Sequence, residues 1–294
     1  MGSLNFRQIL KRNKRIYSAY FSIKTFYYTF KSLKKLNIIK TIYINFKTQK
    51  IKSAIRFPIL LFNHVDLAVN GKIEIIGDKY IGKIRIGKNI DQFVSSNNSF
   101  IRINGTIIFR GEFMASNGVT IVVSENALLE IGDVVSLGGS AKIRCCNHIK
   151  IGDGTGIVEE CQVFDSNFHH MMDTETNEIY PANGVIEIGN LCWIGNRTTI
   201  SKGTILPNYT IVASNSLVNK SFSKYGGTYP IIGGTPATLI SKGKVRIYNI
   251  EEEAILFKSL RDSPNYIFQS NYDYSITTGL LWRKKTFNLM RRLF

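Results

Sequence analysis

The sequence predicts a mainly β chain wound into a three-sided coil of short parallel strands, with a basic segment at each end. Three observations carry that expectation. Aliphatic residues recur every six positions at Ile188, Ile194, Ile200, Leu206, Val212 and Val218. A small or short side chain follows most of them by four residues, at Cys192, Thr198, Thr204, Thr210 and Ser216. The Lys and Arg residues crowd the two ends and leave the middle near neutrality. A period of six fits neither an α-helix nor an alternating strand; it describes a short flat strand and a tight turn, repeated. Three such units close one triangular turn of coil, with the aliphatic side chain inside and the small one at the crowded corner. Each turn then buries its apolar face only against the next.

The 294 residues carry 38 Lys plus Arg against 21 Asp plus Glu, a net charge of +17. A hydrophobic content of 44% suits a folded chain rather than a disordered one. Four cysteines (Cys145, Cys146, Cys161 and Cys192) are too few and too central for a disulfide scaffold, which points to a reducing compartment. No apolar run reaches the roughly 18 residues of a membrane-spanning helix, so none is expected. The basic N-terminus lacks the apolar core and cleavage site of a signal peptide. Residues 1–65 hold 14 Lys or Arg and no acid, the first carboxylate being Asp66. Arg283, Lys284, Lys285, Arg291 and Arg292 close the chain, again without an acid. Between these ends, residues 66–282 have 19 bases against 21 acids. Because a nucleic-acid enzyme concentrates basic charge around its working groove, nucleic acid is not expected as a partner.

Residues 4–36 read as a helix, with Leu4, Ile9, Ile16, Tyr20, Ile23, Tyr27, Phe30 and Leu33 near helical spacing. Interleaved Lys, Arg and aromatic residues suit a helix lying on an anionic membrane, and equally a helix packed on the coil as a cap. Residues 37–56 are β-branched and basic and fit more than one element type; Pro58 opens a different regime. The expected organisation is a basic, mostly helical extension over 1–56, the coil over 57–240 and a partly helical extension over 241–294. Strand-like, Gly-punctuated sequence runs from about Gly71. The six-residue frame shows early at Ile131, Leu137 and Ile143, and after a two-residue slip at Ile151, Ile157 and Val163. It then breaks and resumes near Ile186. The intervening residues, about 164–185 (FDSNFHHMMDTETNEIYPANG), must leave the coil as a loop, and loops on a rigid scaffold are where function concentrates. His169 and His170 stand near its start.

This pattern resembles the hexapeptide-repeat acyltransferase family, whose fold is a left-handed parallel β-helix. The likeness spans about residues 71–240. It is strongest over 193–239, in WIGNRTTISKGTILPNYTIVASNSLVNKSF and IIGGTPATLI. Gly233, Gly234, Thr235, Pro236 and Ala237 match the turn that closes the coil in relatives. The segment IRCCNHIKIGDGTGIVEECQVFDSNFHH resembles the subgroup that modifies sugars of bacterial surface polysaccharides. The resemblance implies an acetyl-CoA-dependent O-acetyltransferase acting on a sugar hydroxyl of a capsule, lipopolysaccharide or related glycan. It also implies a homotrimer. Such an enzyme would be cytoplasmic, or peripheral at the inner membrane face if residues 1–56 touch anionic lipid. N-acetylation of an amino sugar and a non-catalytic scaffold or binding module are the alternatives.

The resemblance further assigns roles. The family's Asp-x-Asp-x-His stretch reads Asp165, Ser166, Asn167, Phe168, His169 here, so His169 aligns with the catalytic base and Asn167 replaces the second acid. An imidazole, with a reference pKa of about 6.5, suits removal of a hydroxyl proton near neutral pH. Its second ring nitrogen needs an acceptor, which Asp165, Glu160 or a backbone carbonyl would provide. The matching positions for acetyl-CoA are Trp193, Gly195, Ser201, Lys202, Ala213, Ser214 and Lys220. No metal is expected: His64, His148, His169 and His170 are the only histidines, and adjacent histidines rarely share a tetrahedral zinc. Cys161 and Cys192 occupy small-residue corners and read as buried thiols.

Overall fold

The computed structural model describes residues 35–88, 97–262, 267, 269–270 and 272–293. Most of the helix expected over 4–36 lies outside them. At its end, Lys35 forms a turn and Leu36 bridges antiparallel to Phe62.

The coil has three faces: a nine-stranded sheet, a seven-stranded sheet and a six-stranded sheet. The chain visits them in that order, as in Val135–Leu137, Lys142–Cys145 and His148–Ile151, and every neighbouring pair inside the coil is parallel. The six-residue frame is the interior: Ile188, Ile194, Ile200, Leu206, Val212 and Val218 are all buried in one continuous core. The intervening short side chains Cys192, Thr198, Thr204, Thr210 and Ser216 are buried at the corners. Strands begin at Ile59, two strands before Gly71, because Ile59, Leu61, Val65 and Val69 point inward although no sustained six-residue frame marks them.

The corners repeat as ladders. From the six-stranded to the nine-stranded sheet, each turn carries an Asp or Asn whose side-chain oxygen accepts from the backbone of the turn before it. Asp133 Oδ1 accepts from Glu112 N (2.7 Å), Asp153 Oδ1 from Asp133 N (2.7 Å), Asn190 Oδ1 from Asp153 N (2.8 Å) and Asn208 Oδ1 from Asn190 N (2.7 Å). From the nine-stranded to the seven-stranded sheet, Ser140, Glu160, Arg197 and Asn215 successively take left-handed backbone. These short side-chain and backbone bonds satisfy polar groups that stacking would otherwise bury unpaired.

The first coil turn has edge strands with no turn beneath them, an arrangement that invites pairing with another chain. Helix α1 (Ile38–Thr48) closes it. Thr41, Ile44, Asn45 and Gln49 fall on one helical face. Ile44 joins the core, Thr41 Oγ1 accepts from Leu61 N (3.1 Å), and Gln49 Nε2 donates to Ile73 O (3.0 Å). Asn45 both accepts from Ile59 N (3.1 Å) and donates to Ile59 O (2.7 Å). A second, short helix, α2 (Ile51–Ala54), follows. Replacing Asn45 with Leu removes both bonds and strands a buried amide. The expected cost is about 2–3 kcal/mol, read as a lower denaturation midpoint at unchanged m value.

At the other end Ile231–Gly234 pairs antiparallel with Ala237–Ser241 across a cis Thr235–Pro236 bond, so the chain reverses and leaves the coil there. Helix α3 (Ile250–Asp262) and helix α4 (Ile276–Leu293) follow. Helix α4 lies on the nine-stranded face. Arg283 is buried and donates to Gly154 O (3.1 Å) and Ser136 Oγ (2.8 Å); burial pushes its pKa down to about 10, so it stays charged at neutral pH. Phe287 packs with Met114 and Val134, and Lys284 pairs with Asp133 at 3.0 Å. Among the described residues no helix is long and apolar enough to cross a membrane.

Candidate active site

The loop leaves the coil at the corner between the seven-stranded and six-stranded sheets, after Gln162–Phe164 and before Val185–Ile188. Its base is closely tied. Asp165 is fully buried, and its two carboxylate oxygens accept from Cys146 N (2.7 Å) and Asn147 N (2.8 Å) in the coil turn below. Its carbonyl accepts from Gly184 N at 2.8 Å, which joins the two ends of the loop. Asn147 Nδ2 donates to Gly184 O (3.0 Å), Asn167 N to Ala182 O (2.9 Å) and Lys202 Nζ to Pro181 O (2.6 Å). Beyond that base, Met171–Met172 and Ile179–Tyr180 form a small antiparallel hairpin with all four side chains exposed.

His169 and His170 are exposed between base and hairpin. Phe168, just before them, holds a left-handed backbone (φ +62°), as several coil-corner residues such as Glu160 and Arg197 also do. Two contacts hold its ring: an edge-to-face contact with Phe164 at 5.7 Å and the Arg144 guanidinium stacked 4.4 Å from its centroid. Its N–H donates to Ser166 Oγ at 2.9 Å. The backbone that presents His169 is therefore fixed from both sides.

The structure separates residues that the sequence analysis grouped. Among the described residues, neither Asp165 nor Glu160 hydrogen-bonds to His169. Both oxygens of Asp165 are engaged by the corner of the turn below. Glu160 stands at the opposite edge of the Gln162–Phe164 strand, in the corner ladder, where Arg197 of the next turn binds it at 2.6 Å. Of the residues assigned to acetyl-CoA, Ser201 and Lys202 lie at the loop's own edge: Ser201 is in register with Phe164, and Lys202 holds Pro181. Lys220 follows the next strand of that sheet, Leu217–Val218, with its ammonium 5.8 Å from the Phe222 ring. Gly195, Ala213 and Ser214 lie at the far edge with Glu160. A Cβ on Gly195 would stand 2.6 Å from Ser214 N, so the stacking of turns itself requires glycine there. Trp193 is on the nine-stranded face, over Gly156 and beneath the Arg246 guanidinium, 3.6 Å from its ring centroid, so the C-terminal extension covers it.

Arg144 and Asn147 escaped the sequence analysis. The signal for Arg144 was available: Ile143 and Val163 hold equivalent inward positions in successive turns, which sets Arg144 beside Phe164. His148 lies on the six-stranded face, where its Nε2 is 3.0 Å from Glu130; the neighbouring Arg110 guanidinium holds that carboxyl below the usual range. Cys161 and Cys192 are buried corner residues whose thiols burial raises to about 11 and about 12.

A three-faced coil of parallel strands is a parallel β-helix, and the loop after Phe164 exposes His169 and His170 on it; the relatives it resembles are acetyltransferases. No family model matches the sequence. The chain is 27% identical over 151 residues to the putative lipopolysaccharide biosynthesis O-acetyl transferase WbbJ of Escherichia coli K12, covering 49% of this chain and 75% of that protein. It is 42% identical over 69 residues to a probable macrolide acetyltransferase of Lysinibacillus sphaericus, covering 24% of this chain and 36% of that one. Among solved structures, the polysialic acid-specific acetyltransferase NeuO aligns over 72% of this chain and 91% of its own, at 14% identity and a TM-score of 0.38. These relatives are named acetyltransferases, which supports the resemblance to hexapeptide-repeat acyltransferases.

Proposed function

We propose that this enzyme transfers an acetyl group from acetyl-CoA to a sugar hydroxyl of a bacterial surface glycan or its precursor, with His169 as the base. The observation that carries the reading is the placement of His169: exposed on the long excursion after Phe164, on backbone fixed by Phe164, Arg144 and the Asp165 staple. In the proposed reaction His169 takes the hydroxyl proton as the oxygen attacks the thioester carbonyl. The carbon–sulfur bond breaks, and the departing thiolate recovers the proton from the imidazolium. No covalent acyl-enzyme is required. The donor would lie along the loop edge of the seven-stranded sheet, where Ser201, Lys202 and Lys220 stand. Gly195, Ala213, Ser214 and Trp193 would reach it only where the donor extends past that edge. The names of the two curated relatives, an O-acetyl transferase of lipopolysaccharide biosynthesis and an acetyltransferase, support the choice of acyl group. A cytoplasmic homotrimer with the site between copies completes the proposal.

The test is incubation of the full-length protein with acetyl-CoA and candidate glycans. A mass gain of one acetyl group, removed by mild alkali, is expected for an O-acetyl ester. An alkali-stable gain would identify an amide on an amino sugar. No gain with any acceptor, together with no acetyl-CoA binding by calorimetry, would leave the coil as a binding module.

A further inference from the structure

We propose that α1 and α2 form a docking surface for an anionic phospholipid bilayer. The two faces of α1 have opposite fates. Thr41, Ile44, Asn45 and Gln49 are consumed by the first coil turn. The other face turns Ile38, Ile39, Ile42 and Phe46 outward, 62%, 82%, 45% and 48% exposed. Single exposed aliphatic residues are ordinary on a protein surface; a contiguous stripe along a whole helix is not. In α2, Ile51 adds to it at 73%.

The charge around this stripe selects its partner. Lys35, Lys47, Lys50, Lys52 and Arg56 are exposed beside it, and the chain has no carboxylate before Asp66. A protein partner would ordinarily be met by charges of both signs. On their own surface the two helices carry an apolar stripe edged by cations and no carboxylate; the nearest acids, Asp66, Glu74 and Asp78, belong to the coil turn on which the helices sit. This arrangement matches the layered chemistry of a bilayer with anionic headgroups above acyl chains. Helix α4 adds to the same end. It starts beside Leu191 and Tyr209, passes Gly154 and Ser136 at Arg283, and reaches Met114 at Phe287. Its backbone thus runs back along the coil toward the turns that α1 closes. This inference is independent of the chemistry at His169.

Cosedimentation of the full-length protein tests it, with vesicles of phosphatidylcholine alone and of phosphatidylcholine mixed equally with phosphatidylglycerol. The wild type is expected to pellet with the mixed vesicles and about tenfold less with the neutral ones. The triple variant Ile39→Ser, Ile42→Ser, Phe46→Ser and the triple variant Lys47→Glu, Lys50→Glu, Lys52→Glu are each expected to lose about tenfold in partitioning. Unchanged circular dichroism melting would show that both variants fold, as their exposed positions allow. A wild type that stays in the supernatant with mixed vesicles, or a folded variant that pellets as the wild type does, overturns the proposal.

Discussion

Replacing His169 with alanine is expected to lower acetyl transfer by about 10²- to 10⁴-fold, the usual contribution of a positioned general base. The loss should fall on kcat, with little change in KM for acetyl-CoA, because the proton moves only in the transition state. Stability should be unaffected. The side chain is exposed, and among the described residues it makes no hydrogen bond. His170→Ala is the matched control: it removes an adjacent exposed imidazole from the same loop and should cost a few-fold at most. A His169→Ala enzyme that keeps wild-type turnover would transfer the base role elsewhere.

Asp165→Ala should produce the largest structural effect. The carboxylate is wholly buried and accepts two backbone N–H groups, from Cys146 and Asn147, at 2.7 and 2.8 Å. Truncation leaves both donors buried without acceptors, and bonds to an ionised group are the stronger kind. A destabilisation of about 3 kcal/mol or more is expected, well above the cost of an average substitution. Denaturant unfolding would measure it. Asp165→Asn separates two roles for this residue. An orienter of His169 would, as asparagine, shift the pH–rate profile while the fold kept its stability. A corner staple would, as asparagine, lose stability first, because the amide group offers one acceptor oxygen where two N–H groups wait. The geometry favours the second outcome.

The coil was legible in the sequence because its interior is one position repeated. Ile188 through Val218 stack in a single core, so each repeat restates the same steric requirement. The corner ladder was also visible, as the recurring IGD, IGD, IGN and LPN that hold Asp133, Asp153, Asn190 and Asn208. What escaped was set by distant partners. Thr41, Asn45 and Gln49 are polar residues four apart in a basic, β-branched stretch, and nothing local reveals that they face the unpaired edge of Ile59 and Leu61. Likewise Arg283 reads as one more terminal cation until the fold buries it against Gly154. The His169 loop showed itself as a break in the frame. Its support did not: Asp165 and Glu160 are equivalent as carboxylates, and only the corner each occupies makes one a buried staple and the other an exposed partner of Arg197.

The helix lying on the nine-stranded face bears on how copies of the chain can meet. With α4 seated there through Arg283 and Phe287, that face is already roofed by the chain's own C-terminus. The proposed threefold assembly would therefore meet through the seven-stranded and six-stranded faces. The ridge those two faces share is the one from which the His169 loop departs. In such an assembly the histidine of one copy would work against the flank of its neighbour. Two variants, each inactive through a different lesion, would then restore turnover when mixed, as complementing halves of one catalytic unit.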